Sequence, residues 1–303
     1  NCGSVFQNRR LSVKLFVYNM INASELILNA DGSVYHLNLL PEDLAGTVIT
    51  VGDPDRVAKV SKYFDRIELK KGKREFITHT GYLGNKRLTV ISTGIGTDNI
   101  DIVLNELDAL ANIDFANRTV KSTLSSLHIV RIGTSGAVQQ DVEMGTILAS
   151  AYGVGLDALM NYYQGSYDGE EQALQVELAK YFSALNLNPY VAKAGAGLLD
   201  RIAFDLPKGV TLTAPGFYAP QGRTVRSTNT IPNFIDLINS FQYKGQRFTN
   251  LEMETAGIYA LANMFGHQAL SINAILASRV DGRFSSAPEE VVDKAIQLVL
   301  ERI

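Results

Sequence analysis

One cysteine, Cys2, is all that the 303-residue chain holds. No intrachain disulfide and no zinc cluster can be built from a single thiol, which fits a reducing, cytoplasmic setting. Charge of one sign is lacking as well. The net charge is −3 and the pI about 5.9, which points to neither nucleic acid nor a basic membrane-surface role. The apolar stretch within Asn8–Asn22 has the two arginines of a signal-peptide front. Lys14 interrupts it, no small-residue cleavage site follows cleanly, and it is too short to span a bilayer. No GxxxxGK[ST] occurs, which excludes a nucleoside-triphosphate P-loop. Gly94-Ile95-Gly96-Thr97-Asp98-Asn99 fails as a dinucleotide fingerprint, because Asn99 stands where the third glycine belongs. There is no internal repeat, low-complexity tract or long linker.

What is present is an ordinary globular composition, 46% apolar and 19% charged, able to bury a sizeable core. Met20 is a natural start, so residues 1–30 read as an N-terminal extension of little functional weight. Residues 31–303 read as one α/β domain, a central mixed β-sheet flanked by helices. Thr47–Val51 is a β-branched strand. It turns at Gly52-Asp53-Pro54, with Asp53 placed to cap a helix and Pro54 in its first turn. Helical spacing follows over Arg56–Phe64. Ile77–Tyr82 and Arg87–Ser92 pair around Gly84-Asn85, a hairpin signal. Asn99–Leu110 is an amphipathic helix, and 117–126 reads as a polar loop. Strands are expected over Gly145–Tyr152, Tyr190–Ala194, Val210–Ala214 and Leu270–Ala277. Helices are expected over Glu170–Leu185, Met253–Phe265 and Pro288–Ile303.

Leu127–Val138, LHIVRIGTSGAV, organises the rest. It reads as a buried strand ending in a glycine-rich turn. Arg131 lies in its middle, and a buried guanidinium is costly without an anion. A bound oxyanion or a structural Asp or Glu would serve. Small residues and hydroxyls just beyond, Gly133 to Gly136, let donors approach an anion. An oxyanion pocket at the carboxyl end of a central strand is therefore expected, where α/β sheets bind ligands.

Other residues gain meaning beside it. Arg56 follows a helix start and Arg74 lies in Lys73-Arg74-Glu75-Phe76; both are either solvated charges or phosphate ligands. Glu252 and Glu254, in NLEMET, are either favourable helix-mouth charges or acceptors for a sugar diol beside Met253. FYAPQGR (Phe217–Arg223) is either a surface loop or a donor–acceptor edge for a planar imide, through Gln221 and Arg223.

SVYHLNL (Ser33–Leu39), VGDPDRV (Val51–Val57), KREF (Lys73–Phe76), RIGTSGA (Arg131–Ala137), FYAPQGR and NLEMET occur in one order along the chain. Together they resemble the nucleoside phosphorylase family, which contains uridine phosphorylase and the hexameric purine nucleoside phosphorylases. FYAPQGR resembles the family's uracil-reading loop. The resemblance implies that Gly52, Arg56, Arg131 and Thr134 bind phosphate, with Arg74 reaching in from a neighbouring subunit. Met253 and Glu254, with Glu252 and Ser135, would hold the ribose, and His36 of the neighbour its 5′-hydroxyl. Phe217, Gln221, Arg223, Leu276 and Ala277 would line the base, and Arg279 would order a flap. Arg223, Gln221, Arg131 and Glu254 would carry catalysis. Ser135 stands where Thr is usual, and Leu251 where an aromatic is common.

The implied reaction is phosphorolysis of uridine to uracil and ribose 1-phosphate, with phosphate as a substrate and no organic cofactor. A monovalent cation at Glu75, Ile95 and Asn99 is implied, although Asn99 departs from the usual Ser. A homodimer with shared sites, assembled into a hexamer, is implied too. Competing readings are a purine nucleoside phosphorylase, a nucleosidase and a non-catalytic nucleoside-binding protein. The purine reading calls for an Asp after the late strand, where Ser278 stands and Asp281 is displaced.

Overall fold

The computed structural model describes residues 20–165 and 167–303. Most of the N-terminal stretch read against a signal peptide lies outside them. From Thr47 the order is β1 (Thr47–Val51), α1 (Pro54–Ser61), β2 (Arg66–Lys73), β3 (Phe76–Leu83), β4 (Lys86–Ser92) and α2 (Thr97–Asn112). A short hairpin, β5 (Ile113–Asp114) and β6 (Thr119–Val120), precedes β7 (His128–Ala137) and β8 (Ile147–Gly155). Then come α3 (Gly169–Tyr181), β9 (Tyr190–Lys193), α4 (Ala196–Ile202), β10 (Lys208–Thr213), α5 (Phe234–Ser240) and β11 (Phe248–Glu252). The chain closes with α6 (Thr255–Phe265), β12 (Gln268–Ser278), β13 (Arg283–Phe284) and α7 (Pro288–Arg302).

The expected mixed sheet is present and has eleven strands. Its centre is β7, whose apolar residues Ile129, Val130 and Ile132 are buried. β1 and β12 pair parallel to it, and β11 antiparallel. Because β12 also pairs with β8, β8 with β10, and β10 with β11, five strands return on themselves. The order β7-β12-β8-β10-β11 is therefore a closed ring, and β1-β4-β3-β2 extends from it as an open wing. Closure of this kind removes free strand edges. Apolar residues at helical spacing seat the helices: Ile100, Val103, Leu104 and Leu107 of α2 are fully buried, as are Ile296 and Val299 of α7.

Local signals fared well. Asp53 caps α1 by accepting from the Asp55 amide, and Pro54 opens the helix. β3 and β4 turn at Gly84, whose φ is 56°. Four expectations need correction. Gly133 to Gly136 continue β7 rather than ending it, because β12 pairs with them throughout. The 117–126 loop contains β6. The helix expected to run to Leu185 ends at Tyr181, and a 3₁₀ turn follows. Asn250 to Glu252 belong to a strand, and the apolar helix begins at Thr255.

Candidate active site

The ends of β1, β4, β11 and β12 and the second half of β7 open into one cavity of about 930 Å³. The loop from Phe217 to Arg223 forms part of its wall. The cationic end comes from a glycine turn, the start of α1 and a strand. Gly52 follows β1 and Arg56 sits in the first turns of α1, while Arg131 and Thr134 come from β7. The Arg131 guanidinium folds back over Gly133. A Cβ at Gly133 would lie 1.8 Å from its Nη1, so a side chain there would displace it.

Arg131 is neutralised from within the chain. Its Nη2 donates to Glu254 Oε2 at 2.6 Å and lies 2.9 Å from Glu252 Oε2. Its Nη1 donates to Ser271 and Asn273, each at 3.3 Å. The structural-carboxylate alternative therefore holds for this residue, and its guanidinium reaches the cavity already paired. Burial disfavours its charge, but Glu252 and Glu254 outweigh that and shift its pKa upward. Among the described residues no carboxylate lies within salt-bridge range of Arg56; its Nη1 donates to the Ile132 carbonyl at 3.4 Å. Burial, then repulsion from Arg131, lowers its pKa. Two like charges held close in a half-dry site favour an anion between them.

The two carboxylates have different duties. Glu252 accepts from Thr213 Oγ1 at 2.7 Å and from the Glu254 and Thr255 amides. It thus holds the first amide of α6 while it steadies Arg131, and it also lines the cavity. Glu254 accepts from the Gly96 amide at 2.8 Å with one oxygen and from Arg131 with the other. Burial raises its pKa; Arg131 opposes the rise and Glu252 adds to it.

At the far end, Arg223 Nη1 donates to Gln221 Oε1 and to the Phe217 carbonyl, both at 2.6 Å. Its guanidinium lies 3.7 Å from the Phe217 ring centre. A guanidinium only donates, so Gln221 must turn its oxygen toward it, and among the described residues nothing takes its NH₂. Burial, with the charge of Arg279 behind it, brings Arg223 down to about 10, still ionised at neutral pH.

Of the residues expected here, Ser135, Met253, Leu276, Ala277, Glu75, Ile95 and Asn99 also line the cavity. His36, Arg74 and Arg279 do not. His36 borders a second cavity of about 440 Å³, where its Nδ1 lies 2.6 Å from Glu106 Oε1. Arg74 is exposed at the β2–β3 turn, with φ 57°. Arg279 packs its stem against Gly136. Sequence reasoning missed Phe284, which lines the cavity from β13 opposite Ala277. A lone aromatic on a two-residue strand carries no periodic signal.

The fold and the paired-carboxylate arginine define a ligand site at the strand ends of a closed mixed sheet. The chain belongs to the phosphorylase superfamily, whose family model matches residues 47–303. It is 30% identical over 276 residues to the uridine phosphorylase of Thermococcus kodakarensis, covering 89% of this chain and 88% of that one. It is 23% identical to a DeoD-type purine nucleoside phosphorylase of Buchnera aphidicola, covering 89% and 99%. Among solved structures, a Trypanosoma brucei nucleoside phosphorylase described as showing uridine phosphorylase activity superposes with a TM-score of 0.80. It is 28% identical, over 91% of this chain and 98% of that one.

Proposed function

We propose that the chain is a uridine phosphorylase: uridine and phosphate give uracil and ribose 1-phosphate. The observation that carries this is the Gln221–Arg223 pair, set in one cavity with Arg56, Arg131 and Glu254. The pair offers an amide donor, an amide oxygen with a spare lone pair, and guanidinium donors. The imide edge of uracil presents acceptor, donor, acceptor, the complement of that array.

In the reaction the C1′–N1 bond breaks and its electron pair leaves with the base. Charge-matched donors already in place at Arg223 and Gln221 would stabilise the leaving anion, which then takes up a proton. A phosphate oxygen forms the new bond to C1′ from the opposite face, with the phosphate held by Arg56, Thr134 and the Gly52 turn. Arg131 adds its charge through the Glu254 pair. Glu254 would accept from a ribose hydroxyl. His36 and Arg74 would complete the site from the other subunit of a dimer, and such dimers would form the hexamer. Glu75 and Asn99 both pack closely against Gly94, whose φ is 69°. With the Ile95 carbonyl they would offer the oxygen donors a hard monovalent cation takes. Among the described residues no cluster of three or more His, Cys, Asp or Glu side chains could hold a metal ion.

The purine alternative is disfavoured by Asp281, which accepts from Arg283 at 2.8 Å and from Ser278 at 3.0 Å and does not line the cavity. Arg283, then Ser278, holds its pKa below the usual value, which suits a surface carboxylate rather than a proton donor to a purine. No helix among the described residues is long and apolar enough to cross a membrane, and the single cysteine fits a cytoplasmic setting. The test is turnover of uridine and inosine with and without phosphate. Uridine cleavage that requires phosphate is expected; inosine preference, or cleavage in phosphate-free buffer, overturns the reading.

A further inference from the structure

Beneath the cavity floor lies a run of buried polar side chains that the reaction above does not use. Asn273, Ser150, Thr211 and Asn250 are fully buried. They sit on β12, β8, β10 and β11, so the run visits the ring strands in their order round the ring, beginning and ending on β7. Arg131 Nη1 lies 3.3 Å from Asn273 Oδ1. Asn273 Nδ2 lies 2.8 Å from Ser150 Oγ, and Ser150 Oγ 2.5 Å from Thr211 Oγ1. Thr211 Oγ1 lies 2.9 Å from Asn250 Oδ1, and Asn250 Nδ2 2.8 Å from Ser135 Oγ.

Hydroxyls and amides can donate or accept, so such a run has two possible directions. The direction is decided at its start, because a guanidinium can only donate. Asn273 must therefore turn its oxygen to Arg131 and its NH₂ to Ser150. Ser150 then accepts from Asn273 and gives its proton to Thr211. Thr211 in turn gives its proton to Asn250, and Thr249 Oγ1 donates to the same Asn250 oxygen at 2.9 Å. Asn250 is left with its NH₂ toward Ser135. Ser135 Oγ accepts, and among the described residues no acceptor takes its own proton. Ser135 lines the cavity.

We infer that the fixed charge of Arg131 orients this hydrogen-bond chain around the strand ring, so that Ser135 presents a donor to an oxygen acceptor of the bound substrate, with Asn250 and Thr211 as positioning residues. The inference rests on the nucleoside-and-phosphate reading of the cavity. It adds a preference: with one lone pair of Ser135 taken by Asn250 and its proton unclaimed, a substrate oxygen that accepts is favoured there. Each bond in the chain polarises the next in the same sense, which favours one direction throughout.

The experiment is a double-mutant cycle on Ser135→Ala and Thr211→Val, with Asn250→Leu as a second partner. Calorimetric affinities for uridine and for inorganic phosphate are measured on each protein. Thr211→Val keeps shape and touches no ligand, so it remains informative if Asn250→Leu fails to fold. Ser135→Ala is expected to weaken one of the two ligands by about threefold to tenfold, the worth of one neutral hydrogen bond. Thr211→Val is expected to weaken the same ligand, and to have no further effect once Ser135 is alanine. A merely structural role would lower affinity by the same factor in both backgrounds, and that result overturns the inference. So does a Ser135→Ala protein that binds both ligands normally. A wild-type protein that cleaves no uridine overturns the functional reading alone, because the cycle is still read on phosphate affinity.

Discussion

Glu254 Oε2 accepts from Arg131 Nη2 at 2.6 Å, with both side chains buried. The pair ties the proposed ribose-binding carboxylate to the cationic end of the cavity. Burial is the main force on Glu254 and raises its pKa above 4.5. Its ionised form is the one that pairs with Arg131 and accepts from a hydroxyl. As pH falls through the raised folded-state value, that form is lost. The acid limb of kcat/KM for uridine is therefore expected above pH 4.5, and absent in Glu254→Gln, whose kcat/KM is low throughout. For folding the sign is opposite. This group's contribution to stability is full below its unfolded pKa and is lost as pH rises through the folded one. Activity should thus fall before the urea midpoint does. Rate profiles and urea melts at matched pH check both, and an acid limb at or below pH 4.5 contradicts the assignment.

Arg56 and Arg131 repel across the cationic end of the cavity, and burial adds to the cost of the Arg56 charge. Phosphate should relieve it and so stabilise the folded protein, by about 2.7 kcal/mol at a hundred times its Kd. Arg56→Gln should weaken phosphate about tenfold to a hundredfold, the worth of a charge-assisted hydrogen bond. Scanning calorimetry over a phosphate series measures both. Equal phosphate shifts in wild type and variant would remove Arg56 from the site.

Arg223 holds Gln221 and the Phe217 carbonyl together through one nitrogen. Arg223→Ala should lower kcat for uridine about a hundredfold or more, as loss of a donor to developing charge does elsewhere. Its KM for phosphate should stay unchanged, because the proposed phosphate site, at Arg56 and Thr134, lies at the opposite end of the cavity. Arg223→Lys should not rescue it, since an ammonium lacks the planar fork. Steady-state kinetics in both substrates decide, and an Arg223→Ala enzyme of normal activity sinks the assignment.

His36 borders a cavity separate from the one that holds Arg223. If His36 serves the other subunit's site, mixing inactive His36→Ala and Arg223→Ala proteins should rebuild some intact sites. Activity is expected to recover after the mixture is unfolded and refolded together. No recovery, with mixed dimers demonstrated by mass spectrometry, would confine His36 to a local role beside Glu106.

Local chemistry was legible in the sequence where a residue's own neighbours decide the outcome. Asp53-Pro54 started a helix, Gly84 turned a hairpin, and the run around Arg131 became the central strand. Most of the expected cavity residues could be named from motifs. What could not be read depends on partners far along the chain. β2 carries charged residues on an exposed edge, so no apolar alternation marks it. Asn250–Glu252 looked like a helix mouth because the β10 and β7 pairings that make it a strand lie some distance away in sequence. The duty of Glu252 followed the same course: its carboxylate caps a helix and holds an arginine, and only the folded chain shows both.

Ring closure has a mechanical consequence. Each of β7, β8, β10, β11 and β12 is flanked by two others of the ring, so none can slide without dragging its neighbours. Arg131, Ser135 and Glu252 are bolted to that frame, whereas Gln221, Arg223 and Phe284 hang from segments outside it. The wall formed by Gln221 and Arg223 can therefore be rebuilt, by design or by drift, while the frame that carries Arg131 stays as it is.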